Sequence, residues 1–150
     1  MPNANVYNPN RSGSIKTPNR WEPGLGHVGS YQVSGTPWIS GSRAGDTTAG
    51  QEKLFTFPSV AKAVTVHRRD SQANSSVRVH FAPSNVSENI TQGVHFIELN
   101  SQDDSITLNI KCDRIYVSSS HANNAYTVIA ELTNIPSSEM YELTGSGITA

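Results

Sequence analysis

A single cysteine, Cys112, in 150 residues excludes an intramolecular disulfide, so the fold must stand without covalent staples. Charge is scarce as well. Asp, Glu, Lys and Arg together make up 15 % of the chain and sum to −1, which removes any global pull toward nucleic acid or an anionic membrane. No apolar run approaches the roughly eighteen residues of a membrane-spanning helix, and no charged-then-apolar leader opens the chain. Neither secretion nor a membrane span is therefore expected. Between Gln51 and Leu132 no stretch follows a helical template. What is abundant is Ser, Thr, Asn and Gly beside 35 % hydrophobic residues, the composition of a β-rich chain with many turns.

The densest signal lies between Gln92 and Leu132, which holds four consecutive strand patterns. In the second of them Ile106, Leu108 and Ile110 point one way and Thr107, Asn109 and Lys111 the other, the period-2 signature of a strand with one buried face. The separators, Asn100 to Asp104, Cys112 with Asp113, and Ser118 to Asn124, suit the turns of an antiparallel meander. Upstream, Leu54, Phe55 and Phe57 read as a strand ended by Pro58. The segment Ala63 to Arg69 alternates Val64 and Val66 inward against Thr65 and His67, and Val77, Val79 and Phe81 alternate with outward Arg78 and His80. The segment 31–42 reads as one strand interrupted by Gly35 and Pro37, and Pro37 confines it to an edge or a bulge. The expected fold is all-β: an antiparallel β-sandwich or jelly roll of about eight strands.

Both ends depart from this pattern. Residues 1–30 contain Pro2, Pro9, Pro18 and Pro23 with Gly13, Gly24, Gly26 and Gly29, a density that speaks against helix and interior strand and reads as an extended arm. Its basic residues Arg11, Lys16 and Arg20 precede any acidic one, so a basic arm leads a mildly acidic body. Residues 31–133 form the expected β body, and residues 134–150, with Pro136, Gly145 and Gly147, a second extended segment. Ser137 is placed to cap a short helical turn reaching Tyr141.

Catalytic chemistry is hard to find. His67, His80 and His95 fall on outward strand positions, but no paired Cys or His spacing supports zinc, and solvated strand histidines are the plainer reading. Asp103, Asp104 and Glu98 lack the alternating spacing of a calcium loop, and a polar hairpin turn explains them. No serine sits in a Gly-x-Ser-x-Gly elbow, and Cys112 reads as a small hydrophobe. Gly24-Leu-Gly-His-Val-Gly matches a dinucleotide spacing yet follows no strand and opens no helix. Sequons at Asn10, Asn74, Asn85 and Asn89 carry little weight in a chain so rich in Asn, Ser and Thr. The expectation is a non-enzyme with no catalytic, cofactor-binding or metal residues. The aromatic residues Trp21, Tyr31 and Trp38, with Tyr141 and Leu143 in the tail and the basic Arg11, Lys16 and Arg20, instead read as a protein interface. Three basic residues are too few for a nucleic-acid groove.

Three stretches carry a resemblance. The run from Ser14 through Pro18-Asn-Arg-Trp-Glu-Pro-Gly-Leu-Gly-His to Gly35, the strand Ile115-Tyr-Val-Ser, and the closing Met140-Tyr-Glu-Leu-Thr-Gly-Ser-Gly-Ile-Thr resemble small virion structural proteins of tailed bacteriophages, especially those infecting cyanobacteria. The resemblance spans nearly the whole chain. It implies a capsid decoration or cement protein, assembled in the host cytoplasm and located in the virion. Its implied partners are the major capsid protein or other virion subunits and further copies of itself, with a trimer favoured. A tail, neck or fibre component and a carbohydrate- or host-surface-binding β-sandwich are the alternatives.

Overall fold

The structure is a computed structural model, and it describes residues 24–32, 35–46, 48–86 and 94–150. A one-turn helix α1 (Gly29–Gln32) precedes seven strands: β1 (Thr36–Ser42), β2 (Glu52–Arg68), β3 (Val77–His80), β4 (Ile97–Leu99), β5 (Ser105–Leu108), β6 (Cys112–Ser119) and β7 (Tyr126–Pro136). A 3₁₀ turn, Ser137–Glu139, follows. The all-β expectation holds. In place of two separate sheets, all seven strands are hydrogen-bonded into one antiparallel sheet of order β1-β7-β2-β6-β3-β4, with β5 pairing β2.

The sheet is built on β2. Val64 pairs with Leu108 on one side and Ala130 on the other, and Ala61 likewise lies between Cys112 and Leu132. One edge of β2 is therefore taken by β7 and the opposite edge by β5 and β6 in succession. The buried side chains of β2 reveal how it serves both halves. Phe55 and Phe57 are buried at odd positions, whereas Val64, Val66 and Arg68 are buried at even ones. Because strand side chains alternate faces, a change of parity requires an extra residue, and register shifts between Thr56 and Ala63 supply it. Pro58, expected to end a strand, instead falls inside this irregular stretch, where its missing N–H breaks no ladder bond.

Most of the inward apolar residues share one core. Phe55, Phe57, Val64, Val66, Val77, Val79, Ile115, Val117, Tyr126 and Val128 are each at most 3 % exposed and pack into a single cluster. The sheet bends enough that Trp38 on β1 meets the first half of β2, with its ring edge-on to Phe57 at 5.0 Å and to Phe55 at 6.2 Å. Gly41 marks a close approach in β1, since a Cβ there would collide with the carbonyl oxygen of Tyr126. The expected turn at Cys112 and Asp113 is instead the start of β6, with Cys112 fully buried. The expected tail begins inside β7, which runs to Pro136, and the following turn has no side-chain cap from Ser137. The expectation that the arm holds no helix also fails at its end: Ser30 Oγ accepts the Gly24 N–H at 3.0 Å and the Tyr31 hydroxyl donates to the Leu25 carbonyl at 2.8 Å, closing the α1 turn.

One end of the sheet is held by a buried cation. Arg68 is 1 % exposed. Its guanidinium donates to the Asp70 carboxylate at 2.8 Å, to the Ser75 carbonyl at 2.8 Å and to Ser75 Oγ at 2.7 Å. Asp70 in turn accepts the Ala125 N–H at 3.1 Å, and Asn124 donates to the Ser76 carbonyl at 2.8 Å, so the β2–β3 and β6–β7 connections are tied together. Burial alone would raise the Asp70 carboxyl, but bonds from Arg68 and from the Gln72 and Ala125 N–H groups hold it below the ordinary carboxylate range. Replacing Arg68 by Met leaves a desolvated carboxylate and the Ser75 carbonyl without their guanidinium donor. The expected loss is about 3–5 kcal/mol of unfolding free energy in urea titrations at pH 7, much of it recovered in an Arg68→Met/Asp70→Asn double variant. A loss below about 1 kcal/mol would show that the cluster is incidental to stability.

Candidate functional site

Arg11, Lys16, Arg20 and Trp21 lie outside the described residues. Of the other interface candidates, Trp38 and Leu143 turn to the chain's own core, where both pack as partly buried side chains. Tyr31 is half-buried at the end of α1, and burial first, then the nearby Tyr141, raises its hydroxyl pKa. Only Tyr141 stands open, at 58 % exposure. The four described candidates thus differ in exposure, two packing inward, one half-buried and one open.

A different surface is assembled by strand register. On the sheet face turned away from the core, Ile39 of β1 pairs with Ile129 of β7, Ile129 with Thr65 of β2, and Thr65 with Thr107 of β5. Four β-branched side chains thus stand in one row across four strands. Ile39 is 67 % and Ile129 36 % exposed. The hydroxyls of Thr65 and Thr107 bond each other at 2.8 Å, so each satisfies the other across the β2–β5 pair. No charged side chain belongs to this row. Aromatic content gives no cue to this row, but Ile129 carries a signal: it is an apolar residue in the outward phase between inward Val128 and Ala130.

Along the strands, this face ends differently on its two sides. Toward Ala63 it meets a groove of about 490 Å³ lined by Tyr31, Lys62, Asn109, Lys111 and Glu131, in which Lys62 pairs with Glu131 at 3.3 Å. Gly35 lies so close to Glu131 here that an added Cβ would stand 2.8 Å from the Glu131 Cβ. Toward His67 it meets the Asn100–Asp104 turn. Asp103, in the left-handed region at φ 61°, places its carboxylate 3.7 Å from His67 Nε2, and Asp104 closes the turn by accepting the N–H groups of Asn100 and Ser101. A second, smaller groove of about 170 Å³ lies where Leu143 and its neighbours cross Phe81, Arg114 and Tyr116.

The titratable interior behaves as structure. His80, expected on the outward side, is 1 % exposed, and its ring stacks on Tyr116 at 5.8 Å between centroids. Its Nδ1 lies 2.7 Å from the Ala82 carbonyl, which can only accept, so Nδ1 carries the proton and Nε2 accepts from Ser118 Oγ at 2.6 Å. This pairing has the outline of a base and a nucleophile. It lacks the rest of such a site: the Glu52 carboxylate lies 3.6 Å from Nε2 rather than behind Nδ1, and neither groove is lined by Ser118 or His80. Glu52 also accepts the Ser84 N–H at 2.7 Å, so the cluster clamps residues 80–84 onto β2 and β6. Burial pushes the Cys112 thiol up to about 12, which makes it a poor nucleophile. Among the described residues no three His, Cys, Asp or Glu side chains converge as metal ligands.

Burial lowers the His80 pKa against the opposing effects of the Ala82 carbonyl and Glu52. The unfolded chain therefore binds this proton first, and the His80 contribution to stability is lost as pH falls below about 6.5 toward the folded-state value. Unfolding midpoints compared at pH 7.5 and pH 5 should drop more for the native chain than for His80→Gln. Parallel midpoints would remove His80 from the pH response.

The chain matches no family model, no curated protein and no solved structure in comparisons with each.

Proposed function

We propose that this chain is a non-enzymatic structural subunit of a phage virion, a capsid decoration or cement protein that rests on the head lattice and bridges neighbouring capsid subunits through its arm and tail. The virion assignment is supported by the resemblance carried by 14–35, 115–118 and 140–149. The structural rather than catalytic role is supported by one observation above the others: a sheet face bearing Ile39, Ile129, Thr65 and Thr107 stands open while the buried polar groups Arg68, Asp70, His80 and Ser118 are bonded to one another and to backbone. Polar chemistry is turned inward to hold the body, and what faces solvent on that sheet suits contact with another protein.

The mechanism is addition of interface. Stable assemblies bury on the order of 2,000 Å² or more, and a chain of 16.2 kDa reaches that more readily when its arm and tail add to the contact made by the body. A glycan-binding alternative would need Trp38 and Tyr31 as exposed stacking platforms. The Trp38 ring is engaged edge-on by Phe55 and Phe57, which argues against it.

Two measurements test the proposal. Quantitative mass spectrometry of purified particles should find this chain at a lattice fraction of the major shell subunit. A ratio of a few per cent would move it to a vertex, neck, tail or fibre, and absence from particles would overturn the virion reading. A chain lacking residues 1–30 should still unfold cooperatively but bind particles at least tenfold more weakly; undiminished binding would remove the arm from the mechanism.

A further inference from the structure

The open sheet face differs in charge and shape at its two ends. Its centre is the uncharged row Ile39, Ile129, Thr65 and Thr107. Two residues before Thr65 on β2 lies Ala63, at the concave groove with Lys62, Lys111 and the single carboxylate Glu131. Two residues after Thr65 lies His67, beside the Asn100–Asp104 turn whose Asp103 side chain is 72 % exposed. The groove and the turn therefore lie about 7 Å from the row, in opposite directions along the strands. One end is concave and carries an excess of lysine; the other projects and carries aspartate.

We propose that this face binds the same face of a second copy of the chain, about a two-fold axis that runs across the strands along the Ile39-to-Thr107 row. Rotation about that axis sets the row against itself and exchanges the two ends. The Asp103 turn of each copy then enters the Lys62 and Lys111 groove of the other, and the contact closes after two copies. A face charged throughout would repel itself in this arrangement. Here the centre is neutral and the ends are opposite in sign, so self-pairing satisfies both. The β-branched row gives the flat, closely packed layer that face-to-face sheets require.

The size of the contact sets its strength. Four strands at about 4.8 Å spacing and about seven residues of length give roughly 450 Å² per copy, or about 900 Å² in all before the turns and grooves are added. That is at the low end for specific interfaces, so a dimer dissociating in the micromolar range is expected. It differs from the trimer that the virion resemblance favours, and it does not depend on the virion reading, since mass in solution and copy number in particles are measured separately.

Sedimentation equilibrium of the full chain from about 1 µM to 1 mM tests it. The native chain should pass from monomer to dimer. Ile129→Asp, and independently Ile39→Asp on the edge strand, should remain monomeric at every concentration while keeping the native circular dichroism spectrum. Asp103→Lys and Lys111→Asp should each raise the dissociation constant at least tenfold, and the double variant should return toward the native value because the pair is restored across the axis. A native chain that stays monomeric, or forms a trimer, overturns the proposal. So does unchanged association in both row variants, or a double variant that is weaker than either single one.

Discussion

The backbone ladder of β2 is the constraint on which the rest depends. Both of its edges are occupied, by β7 on one side and by β5 and β6 on the other, so both halves of the sheet hang on one seventeen-residue strand. A strand that long would put the two halves of its apolar pattern on opposite faces, because Phe55 and Phe57 differ in parity from Val64 and Val66. The bulge between Thr56 and Ala63 removes the conflict and brings both sets into one core. The bend that accompanies it lets Trp38 close over Phe55 and Phe57, so a single sheet encloses apolar side chains that a flat one would leave wet.

Two buried polar clusters complete what the ladder begins. Arg68 with Asp70 fastens the connections at one end of the sheet, and His80 with Ser118 and Glu52 fastens the segment that follows β3. They differ in how each responds to protonation. Asp70 is held in its charged form by donors, whereas His80 is held neutral by burial. Lowering the pH therefore weakens both, the histidine first and the carboxylate in more acid solution. A fold without disulfides thus depends on ionisable groups at two points where turns meet strands.

Most of the strand pattern was legible in the sequence, because half-buried strands write their period directly: Val64 and Val66, Val77 and Val79, and the edge position of Pro37 all read correctly. What escaped was set by neighbours in space. Pro58 looks like a terminator until the bulge places it where no N–H is needed. His80 looks solvated until Ala82, Ser118 and Tyr116 are seen to engage its ring, and Cys112 looks like a turn until β6 is seen to continue the edge that β5 begins. The open face was harder still. Ile39 and Ile129 are 90 residues apart, and only the β1–β7 register makes them one surface; aromatic content, the cue that singled out Trp38, pointed inward.

The edges of the sheet bear on how such a body meets others. On β1, Pro37 has no N–H to offer and the Gly41 carbonyl already accepts Lys53 Nζ at 2.9 Å. β4 and β5 are three and four residues long. Short or occupied edges discourage strand addition, which is how natural sheets avoid uncontrolled growth. Contact through a face differs from contact through an edge in what it selects. An edge accepts almost any extended backbone, whereas a row of β-branched side chains flanked by a basic groove and an acidic turn accepts only a surface with the matching order. The same sequence features that blunt the edges therefore leave specificity to the side chains of one sheet face.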